Sequence, residues 1–249
     1  MQYARYRGAG YYTRHFPPGV KWLLISNSAL FVVYFFAVHS GAASLFQYLS
    51  LWPRAVLHLP AVWQLFTYMF LHDPFGFFHI LFNMLTLWMF GVDLERDWGT
   101  RRFLQYYFLC GVGAGVCVVV ANVLFGSLDT RTIGASGAIY GLLLAFGVLY
   151  PDRMVLFSFL FPIKAKYFVM ILGAIAFMSS FAASGSGVSH VAHLGGMVFG
   201  YAYLRWRFLR TGFSGLLGRK LIEWRQARAR RRFQVYMRDR DSHRDRRIH

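Results

Sequence analysis

"GASGAIYGLLLAFGVLYPDR", residues 134–153, is the stretch on which the reading of this chain turns. From Ser136 to Tyr150 it is an apolar helical run, closed by Pro151, Asp152 and Arg153, which mark an end in water. Such a run makes about 22 Å of helix, whereas the hydrocarbon core of a bilayer is about 30 Å thick. Ser136 therefore starts its helix below one membrane surface. A helix N-terminus at that depth is tolerated only where it faces protein or a water-filled cavity, so "FGSLDTRTIGA", residues 125–135, is expected to dip into such a cavity.

Composition supports the membrane setting. The chain is 57% hydrophobic and 19% aromatic with only 15% charged residues, too few to furnish an aqueous exterior. Six apolar stretches stand out, at 22–39, 76–92, 103–125, 136–150, 166–181 and 189–206. Arg5, Arg7, Arg14 and Lys21 precede the first; Arg96, Arg101 and Arg102 follow the second; Arg153, Lys164 and Lys166 follow the fourth. The last 45 residues, 205–249, hold 15 of the 27 Lys and Arg against four acids. The positive-inside rule puts all of these in the cytosol and leaves Arg54 and Arg131 in the outer loops. The expected layout is a basic cytosolic N-terminus over 1–21, a six-helix membrane domain over 22–206 and a basic cytosolic tail over 207–249. In an alternative layout the first stretch, with the small residues of "HSGAAS" (39–44), is a cleaved signal peptide; five spans would still leave the tail inside.

The loop over 41–75 is unusually apolar for an outside loop and is expected to rest in the interface, where Trp52, Trp63 and Tyr68 are at home. Cys110 and Cys117, seven helical residues apart, would sit about 10 Å from each other along the axis, beyond the roughly 7 Å that a disulfide allows. They read as apolar filler.

The same ruler applied elsewhere finds more polar groups at the depth of Ser136. His193 precedes Arg205 by 12 residues, or roughly 18 Å of helix. His79 and Asn83 precede Asp93 by 14 and 10 residues, or about 21 and 15 Å. His79 and Asn83, at i and i+4, share a helix face that must turn toward the bundle, because polar side chains are expensive against lipid. Gly137 and Gly141 follow the serine, and Gly196 and Gly200 follow His193; each pair is a small-residue face that permits close approach of two backbones. Packing of the fourth and sixth helices through these faces would bring Ser136 to His193. A serine hydroxyl needs a base to become a nucleophile, and neutral imidazole serves near pH 7. No Asp or Glu lies in this layer, so the chemistry reads as a Ser-His dyad. The Asn83 amide, the His79 imidazole and the Ser136 backbone N–H are suitable donors to an oxyanion.

"WQLFTYMFLH" (63–72), "HILFN" (79–83), "GASGAIYG" (134–141) and "AHLGG" (192–196) together resemble, in order and spacing, the rhomboid family of intramembrane serine proteases, over roughly residues 20 to 206. The resemblance implies an all-α, polytopic six-helix rhomboid bundle with Ser136 as nucleophile, His193 as general base, and His79 and Asn83 as oxyanion donors. It also implies that Tyr140 stacks on His193, that Gly134 and Ala135 shape the loop into the site with Gly137 beside them, and that Glu95 has a structural role at the cytosolic end of the second helix. Many family members carry Trp-Arg in the first outer loop, whereas here Trp63 is followed by Gln64. His72 and His190 are further candidates for the water entrance.

Three other readings stand beside the protease. His79, His190 and His193 could converge on zinc, although H-E-x-x-H and a carboxylate base are missing. A transporter would also hold polar groups at mid-membrane, but its charged relay and inverted repeat are missing. A catalytically inactive rhomboid-like protein that binds membrane segments would ordinarily have lost the serine or the histidine. The protease reading implies no cofactor and no metal. Its expected partners are membrane-protein substrates with a transmembrane segment and the bilayer itself, in a bacterial inner membrane. The tail composition suits anionic lipid, and no motif points to nucleic acid.

Overall fold

The computed structural model describes residues 16–125, 127–157, 160–181 and 190–208. Two compact units divide the chain, Met1–Ala202 and Tyr203–His249. The expected basic tail lies outside the described residues apart from 207 and 208, which are helical.

Helix α1, Pro18–His39, begins at a proline, whose fixed φ and missing N–H suit a first helical turn. Its next two amides are capped from another helix: Glu95 accepts from Gly19 N through Oε1 and from Val20 N through Oε2, both at 2.7 Å. The Thr100 hydroxyl donates to the same carboxylate at 2.7 Å. Glu95 is buried, so its charge is held by three hydrogen bonds and a helix N-terminus rather than by water.

Three short helices, α2 (Ser44–Gln47), α3 (Pro53–His58) and α4 (Gln64–Thr67), and a 3-10 turn at Tyr68–Phe70 make the first loop. Helix α5, Phe77–Trp98, stops at Gly99, where φ is +78°. A left-handed residue there closes the helix, and glycine takes that conformation without a Cβ clash. Helix α6 is Thr100–Phe125 and α7 is Ser136–Leu149. Strands β1 (Met154–Phe157) and β2 (Phe161–Lys164) precede α8 (Ala165–Ser180), and α9 spans residues 190–208.

Each expected apolar stretch falls on one of the longer helices, α1, α5, α6, α7, α8 and α9. Among the described residues, α1, α5 and α6 are long and apolar enough to cross a membrane, while α7 and α8 are shorter apolar helices. Helix α7 sits at the centre. Nine of its 14 residues are buried, on every side of the helix, as expected of one that is apolar all round. It packs against α5, α6 and α8.

One expectation is corrected and another is extended. The chain is not purely helical: β1 and β2 pair antiparallel, with Met154 opposite Lys164 and Phe157 opposite Phe161. Runs as short as "MVLF" and "FPIK" carry no helical period, and Pro162 disfavours a helix there. The glycine faces do join α7 to α9, at Gly137, Gly141 and Gly196, with α6 entering the same contact. Gly196 does meet α7, where a Cβ would fall on the Gly137 carbonyl. At Gly200 a Cβ would strike the Tyr106 hydroxyl of α6, and at Gly141 it would meet both Cys110 of α6 and the Gly196 carbonyl of α9. The contact is a three-helix junction, in which α6 packs beside the α7–α9 contact and takes the place of α7 only at Gly200. Cys110 and Cys117 are both free.

Candidate active site

The short helix α7 has Ser136 at its first position, beside a cavity of about 390 Å³. His79 and Asn83 from α5, Gly134 and Ser136 at the start of α7, Tyr140 one turn on, and His193 from α9 all line it. Apolar walls come from Phe78, Phe82, Ile133 and Ala192. The expected layer of polar groups is therefore one site in space.

His193 Nε2 lies 2.9 Å from Ser136 Oγ. With Nε2 unprotonated, the hydroxyl donates to it, which is the arrangement in which imidazole takes the proton when oxygen attacks. The other ring nitrogen, Nδ1, is buried and has no hydrogen-bond partner among the described residues. The ring is oriented by stacking instead: Tyr140 lies parallel to it, centroids 4.0 Å apart and planes 2° apart. His190 meets the same ring edge-on at 5.7 Å.

Asn83 is buried and its Nδ2 has no partner among the described residues. An amide donor left unpaired at a cavity wall is costly unless something that enters the cavity accepts from it. His79 stands on the same face, one turn earlier. Gly134 is required beside it twice over: its φ is +124°, and a Cβ would lie 2.9 Å from His79 Nε2. Ala135, fully buried, caps α7 by accepting from Ile139 N at 3.1 Å. Gly137 leaves room for Ala114 and for the Ala192 carbonyl.

Tyr68, expected in the interface, is instead buried, and the sequence does not show what it or several other residues around the site hold. Tyr68 is a buried pillar whose hydroxyl donates to Gly111 O at 2.7 Å and whose carbonyl accepts from Gly134 N at 2.9 Å. The loop before Ser136 is clasped by the first loop. Leu51 and Thr132 exchange two backbone hydrogen bonds of 2.9 Å. Arg54 donates two hydrogen bonds to Asp129, and Arg131 donates to Gln47 O at 2.9 Å while its guanidinium lies over Trp52. Gln64, at the departure from Trp-Arg, is an anchor in its own right: Trp52 N donates to its Oε1 at 3.0 Å and its Nε2 donates to Tyr48 O at 3.2 Å. In the sequence Arg54 and Arg131 stand out as the two basic residues of the outer loops and Gln64 as the departure from Trp-Arg, but their partners do not.

His72, in the loop before α5, is buried with its ring 5.1 Å from that of His79. Burial, then the neighbouring His79, pushes it down to about 3, so it is neutral. Among the described residues no three His, Cys, Asp or Glu side chains are placed to hold a metal ion, so His79, His190 and His193 do not form the zinc site considered above.

Comparison with known proteins matches residues 60–210 to the Rhomboid domain family model. YdcA of Bacillus subtilis is 35% identical over 142 residues, 56% of this chain and 64% of that protein. RHOMBOID-like protein 1 of Arabidopsis thaliana is 34% identical over 151 residues, 59% of this chain and 34% of that protein. The rhomboid protease GluP of Bacillus subtilis is 34% identical over 139 residues, 56% of this chain and 25% of that protein. The match spans less than two thirds of the length of each.

Proposed function

Because the chain belongs to the rhomboid family of integral membrane proteins, which act on membrane-protein substrates, we propose that it is an active intramembrane serine endopeptidase. The observation that carries this reading is the 2.9 Å contact of Ser136 Oγ with His193 Nε2 at a cavity whose wall presents an Asn83 amide with no partner among the described residues. Ser136 Oγ attacks the scissile carbonyl as its proton passes to His193 Nε2. The oxyanion accepts from Asn83 Nδ2, His79 and the Ser136 N–H at the start of α7. His193 returns the proton to the leaving amine and then activates the water that hydrolyses the acyl-enzyme. Tyr140 keeps the imidazole aimed, a task that a carboxylate performs in a triad.

Six helices, α1, α5, α6, α7, α8 and α9, form the proposed membrane bundle over 22–206. By the distribution of Lys and Arg both ends face the cytosol of a bacterial cell, with the tail over 207–249 against anionic lipid. The test is cleavage of a panel of single-span substrates by the purified chain, with Ser136→Ala as control and fluorophosphonate labelling alongside. Expected are cleavage and labelling by the parent chain and neither by the variant. An unlabelled Ser136 with no product from any substrate would overturn the reading.

A further inference from the structure

The hairpin between α7 and α8 has the opposite polarity from a loop that projects into water. Charge lies at its root. Asp152 accepts from Lys164 Nζ at 3.2 Å and from Lys166 Nζ at 3.1 Å, and Arg153 pairs with Asp93 of α5 at 2.8 Å. Beside Asp152, which these lysines hold below the usual carboxylate range, Met154 pairs with Lys164. Apolar side chains lie toward the tip: Leu156 is exposed, Leu160 is 72% exposed and Phe161 63%. A loop directed into solvent would carry its charges outermost.

A two-stranded hairpin is marginally stable in water on its own, and this one pairs with no third strand among the described residues. Strands of four residues reach roughly 10–13 Å, close to the 5–10 Å by which interfacial elements bury their apolar side. The surface it would join is itself exposed and apolar. Strand β2 runs into α8 without an intervening residue, and Tyr167, Met170 and Ile171 of α8 continue the exposed apolar surface from Phe161. Lipid, rather than a second protein, fits both parts: acyl chains cover Leu156, Leu160 and Phe161 while the headgroup layer solvates the root.

We propose that this hairpin is an interfacial anchor, laying Leu156, Leu160 and Phe161 into the acyl boundary of the leaflet at the end of α7 remote from Ser136. Because the root is tied to α5 through Arg153 and Asp93, the anchor fixes the depth of α7, which is too short to fix its own. The inference uses the membrane placement of the chain and is independent of its catalysis.

The test is photo-crosslinking of the full chain in vesicles of phosphatidylethanolamine and phosphatidylglycerol whose acyl chains carry an alkyne tag. A benzophenone amino acid replaces Leu160, Phe161, Asp152 or, on the outward face of α1, Phe36, one at a time. The expected result is a tagged lipid adduct at Leu160 and Phe161 comparable to that at Phe36, and its loss at Asp152. An adduct of twice the chain mass at Leu160 would put a second copy on the hairpin, and no adduct there would put it in water; either overturns the anchor when Phe36 still captures lipid. Loss of the lipid adduct at Phe36 as well would overturn the membrane placement itself, and the anchor with it.

Discussion

Tyr140 and His193 lie face to face, 4.0 Å between centroids and 2° from parallel, while the imidazole nitrogen remote from Ser136 has no hydrogen-bond partner among the described residues. The stack, not a carboxylate, therefore restricts rotation of the proposed base. Aromatic pairs of this kind contribute about 0.5–1.5 kcal/mol, so Tyr140→Ala should lower kcat by roughly 2- to 13-fold with little change in KM. Tyr140→Phe keeps the ring and should keep the rate. Equal loss in both variants would assign the effect to the hydroxyl and remove the stacking account.

In the proposed mechanism Asn83 meets charge that exists only in the transition state. Asn83→Ala should cost about 3 kcal/mol in kcat, less if His79 shares the oxyanion, with KM nearly constant. Steady-state kinetics on Asn83→Ala, His79→Ala and the double variant check this. Full turnover in all three would leave the oxyanion elsewhere.

Ser136→Ala and His193→Ala should each abolish cleavage, and together be no worse than either alone, because they remove two halves of one proton transfer. A folded His193→Ala variant that still cleaves would refute the dyad.

Glycine contacts make separable predictions for two helices. Gly196→Ala puts a Cβ onto the Gly137 carbonyl and should destabilise the α7–α9 contact by about 1–3 kcal/mol, the usual cost of overpacking. Gly200→Leu instead drives into Tyr106, whose hydroxyl donates to Gly141 O at 2.7 Å. Its loss of stability should therefore be relieved in part by Tyr106→Phe, and Gly196→Ala should not respond. Thermal unfolding in one detergent distinguishes the two, and identical responses would contradict the three-helix junction.

Glu95→Ala strips the cap from α1 and leaves two amides unpaired, which should cost about 1–3 kcal/mol per orphaned donor. Glu95→Gln keeps an acceptor oxygen and should fall between. Hydrogen exchange at Gly19 and Val20 reports the cap directly; unchanged protection in Glu95→Ala would show that it does not depend on the carboxylate.

The site was legible where geometry follows from helical rise alone. Counting residues from a charged helix end converts position into depth, and that brought Ser136, His193, His79 and Asn83 to one layer before any coordinates. The partner of a small-residue face was legible in part: Gly137, Gly141 and Gly196 join α7 to α9 as read, but glycine says only that something comes close, and at Gly200 the neighbour is α6. Gln64, Arg131 and the Arg54–Asp129 pair were hidden for a related reason, since each joins residues distant in sequence and none has a period. The hairpin was missed because a four-residue apolar run fits strand, loop or buried helix equally well.

Glu95 also imposes an order of assembly. Gly19 and the carboxylate that caps it are 76 residues apart. At a synthesis rate of roughly 5–20 residues per second, the acceptor leaves the ribosome on the order of 4–15 s after the donor. During that interval α1 waits with its first turn unlatched, and only the arrival of α5 completes it. The nascent chain thus carries a built-in record of progress, closed when the second long helix is in place and open in any product that stops short of it.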